Sequence, residues 1–333
     1  MKEKTIASQD KVTETFRDLN VSIDEIKLLT NICFQKKDYI QNFPQVFDIQ
    51  NKDYLFCIKH QNKLASFCSL YPYSFNFNNT RLSAYCIGSV CTHPKMRNLG
   101  LAQFALNLAE EKAKENSADF VFLFADNHKL YSYLNYKYAG QMFLAPIGNY
   151  HSGKKNLHSL INKIKNIENN YCISDYSLTY FDHISEINFK EKSKIWRFIV
   201  KNAPNNETIL SFLEFLNIIK IKNMSVHLLL KENKIISLCF LDKGDDFQNV
   251  IHSPYFINTD FIIILLYKIL SILQNNNLIF FPGSNQHEFK DIFEFLKTPS
   301  LSIKSLNEQK FPTNEIINLC IKNSLFVSSL QGT

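Results

Sequence analysis

No Cys-x-x-Cys pair and no zinc-type spacing occurs in this 333-residue sequence, although it holds eight cysteines, Cys33, Cys57, Cys68, Cys86, Cys91, Cys172, Cys239 and Cys320. Scattered thiols, most of them inside apolar runs, argue against a structural zinc centre and read as buried free thiols of a reducing compartment, the cytoplasm. No block of like charge marks a nucleic-acid arm: 37 basic side chains against 31 acidic give +6, a mixed solvated surface whose small excess suits an anionic ligand. The longest apolar run, Phe261 to Leu273, is broken by Lys268 and is too short for a membrane span, and the polar opening residues lack the apolar core of a signal peptide. A soluble chain with neither membrane nor nucleic-acid partner is the expectation. His287-Glu288 has no second histidine at metalloprotease spacing, and neither Gly-x-Ser-x-Gly nor a Walker-type loop occurs. No metal is expected, and hydrolase and nucleotidase chemistry fall away.

Apolar side chain is plentiful: hydrophobic residues make up 45% of the chain and aromatics 14%, enough to fill well-packed interiors without staples. The length is generous for one domain and comfortable for two, so two cores are expected.

Residues 24–35 carry apolar positions at helical spacing, and Ser22 with Glu25 three residues later reads as a capping box. From Asp53 to Leu70 two strand-like runs flank a Gln61-Asn62-Lys63 turn, and a third run, Ser83 to Thr92, continues an antiparallel meander. After Pro94 the period turns helical, with Leu101, Phe104, Ala105, Leu108 and Ala109 on one face. Asp119 to Ala125 reads as a short strand buried on both sides, Tyr131 to Tyr136 as a short helix ending at Asn135, and Lys137 to Leu144 as a closing strand.

The polar stretch 146–170 is the best linker candidate, which divides the chain into a first domain, 1–148, a linker, 149–170, and a second domain, 171–333. The second half opens with helical text around Trp196. It then repeats the element order of the first: strands over 226–231, 235–241 and 249–253, a helix over 261–273, a strand over 278–281 and a helix over 289–296. This is a degenerate repeat of order, not of residue identity.

The chemistry concentrates in Gly88 to Ala102, a strand, a proline-marked turn and a helix start, whose last six residues spell Arg97-Asn98-Leu99-Gly100-Leu101-Ala102, or Arg-x-x-Gly-x-Ala. A diphosphate needs several backbone N–H groups at a helix N-terminus, where the dipole also favours negative charge. Gly100 lets phosphate oxygens approach the main chain, Ala102 keeps the first turn thin, and Arg97 adds a guanidinium.

This stretch resembles the pyrophosphate-binding signature of the GNAT superfamily of N-acetyltransferases, and the similarity extends over roughly residues 20–145. It includes Leu130-Tyr131-x-x-x-Asn135-Tyr136, which resembles that superfamily's Phe-Tyr-x-x-x-Gly-Phe motif. The resemblance implies an α+β fold, a mixed, mostly antiparallel central sheet flanked by helices, followed here by a second, degenerate GNAT-like lobe shaping the acceptor site. It implies acetyl-CoA as co-substrate and transfer of the acetyl group to an amine of a small molecule or a protein in a ternary complex. Tyr131 would protonate the departing CoA thiolate, since a phenol of pKa about 10 keeps its proton at neutral pH. Val90, Cys91 and Thr92 would lie along the strand that pairs with the pantetheine arm, and a backbone N–H there would polarise the thioester carbonyl.

Other residue readings are weaker. Cys91 as an acyl-carrying nucleophile has no assigned base, and His93 in a Thr-His-Pro turn reads as structural rather than as a base. Trp196, Arg197 and Phe198 read either as a wall of the acceptor pocket or as packing. Leu99 and Asn135 depart from the family pattern, the latter tolerably because Asn accepts left-handed geometry. The run Arg81 to Thr92 contains no Asp or Glu, where many relatives place a carboxylate base. The base is then a water chain, a residue of the second half, or the terminal carboxylate of Thr333. The second half has no glycine or basic residue in the turn 254–260, so no CoA site is expected there. The alternatives to a transferase are a non-catalytic acyl-CoA-binding or sensing module and, more remotely, an aminoacyl-tRNA-dependent transferase on a paired-lobe scaffold.

Overall fold

A computed structural model describes residues 15–77, 80–125, 128–149, 151–273, 277–322, 325–328 and 331. Among them the chain is α+β and forms two compact units. One holds the residues through Ala139 together with Leu301–Leu319; the other holds Gly140–Ser300 and the residues from Cys320 on.

The first unit begins with the short strand β1 (Thr15–Arg17) and helix α1 (Ile23–Phe34), where Ser22 and Glu25 close the capping box that the sequence predicts. Strands β2 (Leu55–His60) and β3 (Lys63–Phe77) form a hairpin whose turn residues Gln61 and Asn62 both have positive φ, 50° and 58°, the mirror-image turn that matches strand twist. Strand β4 (Thr80–Thr92) pairs antiparallel with β3. Helix α2 (Leu101–Glu115) then crosses over, and β5 (Phe120–Leu123) pairs with β4 in parallel. Ala105, Ala109 and Ala113 are fully buried, and their small side chains let α2 lie close on the sheet. After the four-residue helix α3 (Lys129–Ser132) comes β6 (Lys137–Gly148).

Two cores line the faces of the first sheet. Phe56, Ile58, Cys68, Leu70, Tyr85 and Ile87 face α2, while Cys57, Phe67 and Cys91 face Ile26 and Leu29 of α1.

The stretch expected as a linker is not one: residues 151–168 form helix α4 (His151–Glu168). Its Leu160, Ile164 and Ile167 enter the second unit's core, and Leu157 packs against that core. The Asn- and Lys-rich remainder is the solvent face of an amphipathic helix, whose polarity hid a narrow apolar stripe. The compact units accordingly divide between Ala139 and Gly140, not across 149–170.

The second unit continues with β7 (Tyr176–Phe181), α5 (Phe189–Asn202), α6 (Phe212–Ile218), β8 (Ser225–Lys231), β9 (Lys234–Leu241) and β10 (Val250–Phe256). Helix α7 (Thr259–Ile272) buries apolar side chains around most of its circumference, and β11 (Asn277–Phe280) pairs in parallel with β10. Each Ile or Leu so buried contributes roughly 1.5–3 kcal/mol. The helix expected over 289–296 is a single turn, closed by the Phe293 amide on the Phe289 carbonyl at 2.8 Å. Both rings pack on Phe280, at centroid distances of 5.0 and 5.6 Å, and from Leu296 the backbone is drawn out into β12 (Leu296–Ser305).

Strand β12 completes the first unit's sheet by pairing Ser302–Ser305 antiparallel with Phe120–Leu123, and helix α8 (Thr313–Ile321) follows it. The second unit's sheet is likewise completed by Ala145–Gly148 of β6, paired antiparallel with β11. Each sheet therefore takes one strand from the other half of the sequence.

Candidate functional site

The site is built around an irregularity in β4. Phe67 opposes Cys91 and Ser69 opposes Gly88, so Cys68 alone faces both Ser89 and Val90, and Ser89 takes φ 53°. This is a β-bulge, and the extra residue inverts the alternation beyond it. Tyr85 and Ile87 face α2, and Val90 packs on that same side, while Cys91 turns into the α1 core. The parallel pairing of β4 with β5 runs from Ala84↔Phe120 to Cys86↔Phe122 and goes no further. Beyond it the strands part, which leaves the β5-facing main chain of Ile87 to Thr92 without a strand partner among the described residues.

Beyond Thr92 the chain turns through a short 3-10 helix, Pro94–Met96. His93 caps it by accepting the Lys95 amide at Nδ1, 3.3 Å away, which assigns His93 a structural role. Asn98 and Gly100 are both left-handed, with φ 65° and 76°, and aim the segment into α2. No side chain caps α2 and its first turn carries no acidic residue, so its N-terminal N–H groups and dipole face outward. A Cβ built on Gly100 would meet no atom within 4 Å, so the space beside the main chain is open. Arg97 is exposed and its Nε donates to the Thr92 carbonyl at 3.5 Å, so its guanidinium stands in solvent where an anion can reach it. Leu99 is exposed between the two left-handed residues, whereas Leu101 is buried and anchors the helix start. Arg97, Asn98, Leu99, Gly100, Leu101 and Ala102 thus form one continuous turn into α2.

Tyr131 lies in α3 on the α2 side of the sheet, in edge contact with Tyr136 at 6.0 Å. Burial first, and then the neighbouring Cys68 thiol, push its phenol up to about 12, so it holds a proton throughout the neutral range. Asn135 has φ 66°, the left-handed position that this motif asks of it, and the Tyr136 amide folds back on the Tyr131 carbonyl. Tyr136 is fully buried and donates to Glu110 Oε1 at 3.0 Å; Lys304 of β12 meets the other carboxylate oxygen at 2.6 Å.

The thiols divide by environment. Cys91 is held far above the ordinary thiol range, first by its hydrogen bond to Cys33 and then by burial, and it points away from the face that carries Val90 and Tyr131. An acyl-carrying role for it has no geometric support; only its main chain belongs to the open strand edge. Cys33 is shifted the other way, chiefly by accepting a hydrogen bond from the Cys91 thiol and also by the charge of Arg97, while burial opposes both.

Residues 81–92 of β4 contain no Asp or Glu. The two buried carboxylates nearest in sequence are engaged elsewhere: Glu110 as above, and Asp119 by the Ser83 amide at 2.9 Å and by Lys310 at 2.8 Å. The terminal carboxylate of Thr333 lies outside the described residues. Trp196 packs on Phe212 at 5.2 Å and donates Nε1–H to the Leu210 carbonyl, which is a packing role.

The second unit repeats the strand geometry but not the cradle. In β10 the register shifts between His252 and Tyr255, Ser253 has φ 48°, and parallel pairing with β11 covers only Val250 and Ile251. Helix α7, however, is capped by the Asn258 side chain, which accepts the Asp260 amide, and Asp260 puts a negative charge in the first turn. Such an end repels a diphosphate.

Two features of this site go beyond what the sequence predicts: the bulge at Ser89 and the Tyr136–Glu110–Lys304 network. The Gly88-Ser89 pair inside a strand run was an available signal for the bulge. Nothing local pairs Glu110 with Lys304.

The acetyltransferase (GNAT) domain family matches residues 20–139, a span that contains the bulge, the turn into α2 and Tyr131. No curated protein matches the chain in sequence. Among solved structures it is similar to a GCN5-related N-acetyltransferase from Kribbella flavida, with TM-score 0.61 and 8% identity over 88% of this chain and 72% of that one. A GCN5-related N-acetyltransferase from Anabaena variabilis gives TM-score 0.58 at 12% identity, over 86% of this chain and 72% of the other. The N-myristoyltransferase of Saccharomyces cerevisiae, solved with bound myristoyl-CoA, gives 0.53 at 9% identity, over 90% and 84%. At these identities the likeness is one of fold.

Proposed function

We propose that this chain, whose residues 20–139 match the GNAT acetyltransferase domain family, is an acyltransferase that moves an acetyl group from acetyl-CoA directly to an amine. The diphosphate of acetyl-CoA lies on the N–H groups of residues 98–102, with Arg97 beside it. The pantetheine arm follows the open edge of β4 from Thr92 back toward the bulge, in the place of a missing strand. The thioester carbonyl meets a main-chain amide at the bulge, which stabilises the oxyanion as the neutral amine attacks the carbonyl carbon. The tetrahedral intermediate then collapses with loss of the thiolate, and Tyr131 gives that thiolate its proton. The attacking amine loses one proton to solvent or to a base, which the β4 edge does not supply.

The observation that carries this reading is the conjunction, within one continuous segment, of a strand edge left open beyond Cys86 and an uncapped helix start at an unobstructed glycine. The test is release of free thiol when the protein, acetyl-CoA and a panel of small amines and lysine peptides are mixed. Thiol release that depends on the amine supports transfer.

The lack of a carboxylate on residues 81–92 favours a second reading, an acyl-CoA-binding module without turnover. In the same assay it gives saturable acetyl-CoA binding with no thiol release for any amine.

A further inference from the structure

The bulge in β4 carries a conformational cost, because Ser89 holds φ 53° and a residue with a Cβ is disfavoured there by roughly 1 kcal/mol or more. On its β3 side the bulge breaks the ladder, and on its β5 side no strand pairs with it among the described residues. Something outside the sheet must hold it. The Tyr39 hydroxyl shares a hydrogen bond with Ser89 Oγ at 3.1 Å, and Tyr39 is itself held with little freedom. Its ring stacks on Phe34 of α1 at 4.2 Å and meets the edge of Phe47 at 6.4 Å, and Phe47 in turn stacks on Phe67 of β3 at 5.9 Å. Its amide donates to Asn31 Oδ1 at 3.1 Å, which ties its backbone to α1. A buried, stacked aromatic with a fixed main chain presents its hydroxyl at one point, and that point is the inserted residue of the bulge.

We propose that Tyr39 is a positioning residue for acyl transfer: through Ser89 it fixes the β4 bulge and thereby the direction of the main-chain amide that meets the thioester carbonyl. The inference rests on the acetyl-CoA reading above. Tyr39 touches neither the acyl group nor the amine. It acts on the orientation of a peptide plane, and hydrogen-bond strength to a carbonyl falls steeply as that plane tilts. Loosening the bulge leaves the diphosphate turn at 97–102 untouched, so it weakens the carbonyl contact and not the anchoring of the cofactor.

The test uses the full chain with acetyl-CoA labelled with 13C at the carbonyl, read by difference infrared spectroscopy alongside calorimetry and thiol release. In the wild type, binding lowers the carbonyl stretching frequency. In Tyr39→Phe that lowering is largely lost and turnover falls about tenfold, the worth of one ordinary hydrogen bond, while acetyl-CoA affinity stays within about twofold. Ser89→Ala removes the same bond from the other side, so it reproduces the effect, and the double variant is no worse than either single one. Ser89→Gly removes the same hydroxyl and leaves the backbone freer, so it too loses most of the shift. A Tyr39→Phe or Ser89→Ala protein that keeps the full infrared shift and turnover overturns the inference. So does wild-type binding with no shift at all, while the acetyl-CoA reading survives. Absence of acetyl-CoA binding overturns that reading and the inference with it.

Discussion

Ser89 in β4 and Ser253 in β10 mark the same event in two strands: each has a left-handed φ, 53° and 48°, and each sits where its antiparallel register slips. Just before each of them, parallel pairing to the following strand ends. The inversion of side-chain phase is shared too, since Ile251 faces the α7 core and Tyr255 the α5–α6 core. What differs is the helix that follows. Gly100 opens α2 to an anion, whereas Asn258 and Asp260 close α7 against one. From that contrast a single diphosphate site is proposed, in the first unit.

Tyr131→Phe removes only the phenolic proton. Turnover is expected to fall by about 10²–10⁴, the usual share of general acid catalysis, with acetyl-CoA affinity nearly unchanged. Thiol release and calorimetry on the same preparation check it, and undiminished turnover removes Tyr131 from the mechanism.

Gly100→Glu places a carboxylate where the diphosphate is proposed to lie. Because no protein atom stands within 4 Å of the new Cβ, the fold loses only the backbone cost of φ 76°, about 1 kcal/mol. Acetyl-CoA affinity is expected to fall by about tenfold or more. Unchanged affinity by calorimetry, with the fold intact by circular dichroism, contradicts the cradle.

Glu110→Ala strands the buried Tyr136 hydroxyl and the Lys304 ammonium together. Breaking a buried pair from one side costs about 3 kcal/mol, and Lys304 lies in the strand that closes the first unit's sheet. Urea denaturation is expected to show that loss. A change below about 1 kcal/mol, the range of a surface pair, indicates that the network is wetter than its burial implies.

Glu207 gives a pH signature. Burial lifts its carboxyl to about 7 from an ordinary 4.5, opposed by hydrogen bonds from the Ser284 hydroxyl and amide. Between those values the folded chain binds more protons than the unfolded one, so its contribution is full below pH 4.5 and is lost as pH rises toward 7. His227, lowered to about 4 by burial, acts oppositely, with stability lost as pH falls from 6.5 to 4. The difference between wild type and Glu207→Gln cancels the histidine. That difference should decline as pH rises through this window, and a flat difference in urea midpoints counts against a protonated Glu207.

Much of the first unit was legible in the sequence because the information is local. Ser22 with Glu25 specifies a helix start, Gln61-Asn62 a hairpin, and Arg97 to Ala102 a turn into a helix, each within a few residues. Helix α4 was hidden because most of its residues are polar, and β12 because an isolated run such as Leu301 to Ser305 does not say which sheet will take it.

What the sequence determined alone was the set of local preferences: capped helices, hairpin turns, and a helix start stripped of its own cap at Gly100. Only the tertiary structure decided that Lys304, 194 residues away, neutralises Glu110, that β5 accepts a strand from the C-terminal part of the chain, and that Cys91 turns inward while Val90 does not. The physical reason is that side-chain phase in a bulged strand and the choice of a strand's partner depend on which other surfaces become buried, and no short stretch of residues contains that.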